Sequence, residues 1–194
     1  MPSDIISHVV EHGLDVALLD PAIRVAAGAA RDEVFKFVGP ERIENLKRVA
    51  AEALSKLKNR GATPEAPALA VSIPLLEAAR DESRAELVNL WAALLATACD
   101  PTRRGAFRNE FIPVVKSLEP HDAHILELLN DGSQMDPSRL TVIASRLRLS
   151  EDRVAVSFGA LEKLGLTYFM PNGSPKTFPT VTAFGREFLS AVRG

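Results

Sequence analysis

The residues best suited to chemistry are two histidines three positions apart, His121 and His124. Glu127 follows one helical turn later, and imidazole and carboxylate groups at this spacing can bind a metal ion. No further cysteine or histidine lies nearby, so we favour a capping and solvent-facing cluster over a metal site. His8 and His12 are four residues apart near the N-terminus, and the same interpretation applies to them.

No other pattern in the sequence is typical of a catalytic site. There is no glycine-rich phosphate loop, no G-x-S-x-G and no Cys–His pairing in a helical or strand context. The carboxylate pairs Asp81-Glu82 and Glu41 with Glu44 fall at helix starts, where negative charge suits the helix dipole. We therefore predict no catalytic residue, metal, cofactor or small-molecule substrate, and keep a metal- or nucleotide-dependent effector enzyme as a third hypothesis.

A basic loop over residues 102–108 carries Arg103, Arg104 and Arg108. Guanidinium groups bind phosphate and carboxylate well, so this loop is a candidate contact for an anionic partner. The alternative is three solvated arginines without a function. The whole chain, with a formal net charge of −2 over 194 residues, has no general attraction to nucleic acid.

The composition indicates a soluble, mostly helical protein. Hydrophobic residues make up 46% and charged residues 25%, as in chains that bury a core, and only one Tyr and one Trp occur. Cys99 is the only cysteine, so we expect a buried thiol in a reducing compartment. The start of the chain lacks the basic and apolar regions of a signal peptide, and no uninterrupted run of about 18 apolar residues occurs. We predict a cytoplasmic protein without membrane association.

Residues 1–118 are predicted to form an α-helical bundle. Apolar residues recur at helical spacing over 43–57, and two prolines in residues 61–68 predict a linker or a crossing segment. Ser83 and Glu86 have the spacing of a capping box, in which each side chain bonds the other's backbone amide. Helices are predicted at 4–38 with a break at Asp20-Pro21, at 43–60, around 72–79, at 84–99 and at 111–118.

Residues 119–194 are predicted to form a winged helix-turn-helix domain with a small β-hairpin. A helix from Pro120 is followed by one that opens at Asp136-Pro137. Ser150 caps a third helix, Gly165 reverses the chain, and Thr182 caps a last helix. Strand-like runs at 166–170 and 176–181 flank an Asn-Gly turn. Val154, Phe158 and Leu161 are the predicted core of the third helix.

Whether this winged helix binds DNA depends on the outward face of its third helix. At 100° per residue that face holds Asp152, Arg153, Val156, Gly159, Ala160 and Lys163. Only Arg153 and Lys163 suit base edges in a groove. Arg146, Arg148 and Arg153 could form a basic surface across the turn, although residues 120–194 carry eight acidic and eight basic side chains. We favour the alternative that these three arginines form a solvated surface without a function.

Protein contact is the interpretation that this depleted face favours. Gly159 lowers helix stability by roughly 1 kcal/mol relative to alanine, which suggests that a partner helix or a second copy packs closely there. The candidate contact residues for a partner or a nucleic acid are Arg146, Arg148, Arg153, Val156, Ala160 and Lys163. A homo-oligomer or a protein partner is our first hypothesis, and a DNA-binding regulator is the second.

Several motifs in the last two-thirds of the chain resemble the Abi-alpha (abortive-infection alpha) family of bacterial proteins, over about residues 65–190. Leu90-Trp91-Ala92, Asp100-Pro101 and Glu119-Pro120-His121-Asp122-Ala123 carry the resemblance most specifically. The matching segments are residues 74–79, 86–96, 100–101, 111–126, 161–166 and 181–188. Arg108-Asn109-Glu110 departs from the family, which has His-Pro before the helix at residue 111. The resemblance implies a bacterial cytoplasmic protein associated with phage defence, and it supplies no catalytic residues.

Overall fold

A computed structural model describes residues 40–130, 139–169 and 179–193. Eight α-helices, a 3-10 turn and two β-strands make up this part of the chain, which confirms the mainly helical prediction. The predicted helices at 4–38, His8 and His12, the Asp136-Pro137 cap and the hairpin turn lie outside the described residues. The elements are α1 (Pro40–Arg60), α2 (Leu69–Ala79), α3 (Ala85–Cys99), a 3-10 turn (Arg104–Ala106), α4 (Phe111–Ser117), α5 (Pro120–Asn130), α6 (Arg139–Leu147), α7 (Glu151–Lys163), β1 (Thr167–Phe169), β2 (Pro179–Val181) and α8 (Ala183–Val192).

Helix α3 is the centre of the hydrophobic core. The sequence predicts one broad apolar face around Trp91, but the helix is buried on nearly every side from Leu87 to Cys99. The reason is tertiary: α1, α2, α5 and α8 all contact α3. A helix that is apolar all round is stable only when other elements surround it.

The helix α1 packs along α3 with the apolar face that the sequence predicts. Leu46, Val49, Ala50, Ala53 and Leu57 are buried on this face. Gly61 then ends the helix with a backbone φ of 66°, a conformation that L-residues rarely adopt. The following segment runs back along the core, where the backbone amide of Glu65 donates to the Cys99 carbonyl at 2.8 Å. The predicted crossing segment is therefore confirmed.

The start of α3 is stabilised differently from the predicted capping box. The N-terminal cap residue is Arg84, and no side chain caps the helix in the way that Ser83 was expected to. Instead, the buried carboxylate of Glu82 accepts hydrogen bonds from the Arg84 backbone amide at 3.0 Å and from its guanidinium at 2.9 and 3.0 Å. The capping-box prediction is wrong because the helix begins one residue later, with Arg84 as its N-terminal cap, so Ser83 and Glu86 do not occupy the two positions that a capping box joins.

A hydrogen bond between Thr97 and Ala191 joins the last helix, α8, to the central helix α3. The buried hydroxyl of Thr97 donates to the Ala191 carbonyl at 2.6 Å. The ring of Phe111 on α4 contacts Phe184 and Phe188 on α8, with centroids 5.5 and 5.4 Å apart. One continuous core thus crosses residue 118, and the division into 1–118 and 119–194 stays a prediction.

Candidate interaction surface

Three exposed arginines, Arg146, Arg148 and Arg153, lie around the turn between α6 and α7. The backbone of this turn is a Schellman motif. The amide of Leu149 donates to the Ala144 carbonyl at 2.9 Å, and the amide of Arg148 donates to Ser145 at 3.3 Å. This motif needs a left-handed residue at its end, and Arg148 fills the position with a φ of 55°. Gly61 and Gly165 occupy the equivalent positions after α1 and α7. Arg148 is therefore held in a conformation that favours glycine.

Helix α7 begins where the sequence predicts. The Ser150 side chain accepts a hydrogen bond from the Arg153 amide at 3.3 Å, which confirms the predicted cap. The Thr141 hydroxyl donates to a Glu151 carboxylate oxygen at 2.7 Å and ties the start of α6 to the start of α7. The predicted core residues of this helix, Val154, Phe158 and Leu161, are all buried.

The opposite side of α7 is exposed, with charged residues towards its two ends and small or apolar residues in its middle. Val156 is 72% exposed, more than any other large hydrophobic side chain among the described residues. Asp152, Arg153, Gly159 and Lys163 are exposed as predicted, whereas Ala160 is half-buried. The structure adds Ala155 and Glu162 to this outward side.

Gly159 is not required by packing within the described part of the chain. A Cβ atom built at Gly159 meets no heavy atom within 4 Å. The helix would therefore be more stable with alanine at this position, and no contact inside the chain opposes that change. Close approach by another molecule, as the sequence suggests, stays a prediction.

The three arginines at the turn have no acidic partner within the described ranges. Arg146, Arg148 and Arg153 are all exposed, and none forms an ion pair there. Lys163 is a further exposed cation on α7, and Lys176 of the predicted wing tip lies outside the described residues. Acidic side chains at 151 and 152 begin α7 beside them.

The hairpin that follows α7 is short and closely attached to α8. β1 and β2 are antiparallel, with Thr167 opposite Val181 and Phe169 opposite Pro179, which confirms the predicted hairpin. Gly165 reverses the chain with a φ of 74°. The Thr182 side chain accepts from the Gly185 amide at 2.8 Å, as the predicted cap requires.

The basic loop at residues 102–108 is engaged inside the protein. Arg103 donates to the Ser190 carbonyl at 2.5 Å and to the Arg193 carbonyl at 3.3 Å, so it covers the C-terminal end of α8. Arg104 pairs with Glu65 at 3.1 Å, and Arg108 lies 3.9 Å from Glu110. The structure thus separates the three side chains among different partners. Their role as an anion contact stays a prediction.

Arg60 and Asp100 lie beside this loop, and no pattern in the sequence identifies them as part of the cluster. The Arg60 guanidinium also donates to the Arg193 carbonyl. Burial lowers the pKa of Arg60, and the nearby Arg103 adds to the decrease. Burial alone would raise the pKa of Asp100, but hydrogen bonds from Thr102 at 2.6 and 2.9 Å outweigh it and hold that pKa below its usual value. Cations at a helix C-terminus complement its dipole, so this cluster has a structural role.

The two histidines of the candidate metal site are half-buried at the start of α5. Asp122 between them is buried, and its carboxylate accepts from the Glu119 amide at 2.9 Å, which caps the helix. Among the residues that the structure describes, no group of three or more His, Cys, Asp or Glu side chains could hold a metal ion. None of the described helices combines the length and apolarity needed to cross a bilayer.

Comparison with known proteins gives one match. The model of a family described as abortive infection alpha matches residues 40–192. The match covers most of the chain and includes α1, which the motif resemblance does not reach. No curated protein and no solved structure shows significant similarity to the chain.

Proposed function

Because the chain belongs to the abortive infection alpha family, we propose that it is a non-enzymatic protein of phage defence that acts through protein–protein contacts. The family resemblance is also the basis for proposing that it works in the bacterial cytoplasm. The contact surface in this proposal is the outward side of α7.

We propose further that residues 119–194 form a winged helix-turn-helix unit. The order α5, α6, turn, α7, hairpin and α8 supports this topology. In such a unit α7 would occupy the position of the recognition helix, and the hairpin would be the wing. Fold alone does not determine what the recognition helix binds, so its surface must carry the argument.

The observation that carries the proposal is the exposed apolar character of α7. Its most exposed large hydrophobic side chain is Val156, and Gly159, one turn later, leaves the backbone open to close approach. Helices that read base edges present Arg, Lys, Asn or Gln at these positions. Apolar residues that lie together on an exposed surface are instead typical of sites that a protein partner covers.

The test measures protection of a bacterial host against a panel of phages. The wild-type chain should protect, and Val156→Lys should abolish protection because it places a charge in an apolar contact. Val142→Lys is the matched control, since Val142 is also exposed, at 52%, but lies on α6. Loss of protection only in the Val142 variant would contradict the proposal, and so would a wild-type chain that protects against no phage.

A second candidate function, DNA binding, is favoured by one observation. Arg146, Arg148 and Arg153 are exposed around the turn, and Arg148 keeps a backbone conformation that glycine would adopt more easily. A residue other than glycine in this conformation can mark a functional site. Binding of a random DNA duplex at two salt concentrations separates the two candidates.

The proposed protein-contact function predicts no salt-dependent duplex binding. A steep salt dependence that disappears in the triple variant Arg146→Glu, Arg148→Glu and Arg153→Glu would establish the second candidate instead. Absence of binding at low salt would exclude DNA binding by the wild-type chain.

A further inference from the structure

Four residues on the outward side of α7 form one line along the helix. Asp152, Val156, Gly159 and Lys163 follow one another at intervals of four, three and four residues. This alternation is the spacing of the seam between two coiled helices. The line is about 17 Å long at 1.5 Å per residue. All four residues are exposed, so the seam has no partner within the described part of the chain.

The two halves of this seam complement each other in charge and in side-chain size. An acidic residue lies at one end, a basic residue lies at the other, and Val156 and Gly159 lie between them. Neither Asp152 nor Lys163 forms an ion pair with another described residue. Their charges are therefore not neutralised by a neighbour within those ranges.

We propose that the occupant of the seam is α7 of a second copy of this chain, packed antiparallel across a twofold axis. The proposal rests on the proposed function, in which α7 is a protein-contact surface. In this register Val156 of each copy faces Gly159 of the other. Each charged residue lies four positions further out, so Asp152 of each copy meets Lys163 of the other. A twofold contact repeats every pair, which gives two ion pairs and two Val–Gly contacts.

Size complementarity supports the same register. A large side chain opposite glycine lets two helix backbones approach closely, and no atom of the described chain obstructs the space above Gly159. Ala155 and Ala160 flank the line, and in this register they also face each other across the axis. Small flanking residues keep the approach unobstructed.

Charge favours an antiparallel second copy over a parallel pair and over a nucleic acid. A parallel pair would bring Asp152 against Asp152 and Lys163 against Lys163, and like charges in contact are unfavourable. A nucleic acid would meet the carboxylates of Glu151 and Asp152 at the N-terminal end of the helix. One helix pair contributes an interface at the small end of the known range, so we expect a transient dimer.

Sedimentation equilibrium of the full chain over about a hundredfold concentration range tests the proposal. The wild-type chain should associate to a dimer. Asp152→Lys and Lys163→Asp should each weaken association by about tenfold, because each turns two attractive pairs into repulsive ones. The double variant D152K/K163D restores opposite charges in both pairs and should associate as the wild type does. Glu187→Lys makes the same change of charge on an exposed position of α8 and should leave association unaltered.

The double variant also separates association from folding. Each single reversal opposes the dipole of α7, because it places the wrong charge at a helix end. The double variant opposes the dipole at both ends and yet should dimerise better than either single variant. A dimer that is insensitive to the single reversals, or that the double variant fails to restore, would overturn this register. A chain that stays monomeric also overturns the proposed dimer. The proposed function would then stand without it, with a different protein bound to α7.

Discussion

Replacing Gly185 with alanine should destabilise the protein, because the start of α8 lies against Leu166, the residue before β1. A Cβ atom at Gly185 would lie 2.1 Å from the Leu166 carbonyl oxygen and 2.9 Å from a Val181 methyl group. Carbon and oxygen atoms ordinarily approach to about 3.3 Å, so the start of α8 must move by roughly 1 Å. The same carbonyl accepts the Thr182 amide at 3.0 Å, and this movement lengthens that bond.

The magnitude follows from three terms. Overpacking a buried site costs about 1–3 kcal/mol and sometimes more. Weakening the Thr182 to Leu166 hydrogen bond adds about 1 kcal/mol. The higher helix propensity of alanine offsets about 1 kcal/mol of this. We expect a net loss of about 2 kcal/mol, within a range of about 1–3 kcal/mol. This corresponds to a melting temperature about 4–8 °C lower for a domain of this size.

Urea unfolding followed by the fluorescence of Trp91, the single tryptophan of the chain, measures this loss. Trp91 is 1% exposed, so its emission reports opening of the core. Gly159→Ala is the matched control: the same substitution in a helix, with no heavy atom within 4 Å of the new Cβ. It should stabilise the monomer by about 1 kcal/mol. If Gly185→Ala unfolds within about 1 kcal/mol of the wild type at an unchanged m-value, the close approach of α8 to Leu166 is refuted.

Three further predictions concern stability. Arg148→Gly should stabilise the chain by about 1 kcal/mol in urea unfolding, since it relieves a left-handed arginine; equal or lower stability would contradict this. Thr97→Val should destabilise by about 1–2 kcal/mol because the Ala191 carbonyl loses a buried donor, whereas Thr97→Ser should retain most of that bond. Burial would raise the pKa of Glu82, but hydrogen bonds from Arg84 outweigh it and hold that pKa below its usual value. The ionised Glu82 therefore stabilises the fold above the pKa of the unfolded chain, and this stabilisation is lost as the pH falls through the pKa of the folded chain. Glu82→Gln should therefore lower stability by roughly 1 kcal/mol at neutral pH, and the difference from wild type should shrink below about pH 4.3; a difference independent of pH would contradict this.

The sequence predicts local structure correctly where a few neighbouring residues determine it. Ser150 and Thr182 cap their helices, and Gly165 reverses the chain with a positive φ. Each of these depends on hydrogen bonds within about six residues, so spacing alone identifies it. The inward residues of α7 follow from the helical period in the same way.

Features decided by distant contacts could not be read from spacing. The burial of α3 on nearly all sides depends on four helices that surround it, and its sequence resembles that of a helix with one apolar face. The turn at Arg148 shows no glycine, which is the usual signal of its left-handed conformation. Arg60 and Arg103 cover the end of a helix about 130 and 90 positions away along the chain, respectively. No local pattern connects those positions.

The two candidate functions compete for the same surface, and this makes them separable. A second copy packed on α7 would cover Val156 and Gly159 and keep that helix out of a DNA major groove. The arginines at 146 and 148 lie before the helix, so dimer contact along the seam would leave them exposed. Reversing the charges at 152 and 163 together preserves the dimer and leaves the turn arginines unchanged. If duplex binding appears only in the single variants, where the dimer is weakened, then self-association masks a DNA-binding face; if it appears in none, α7 serves protein contact.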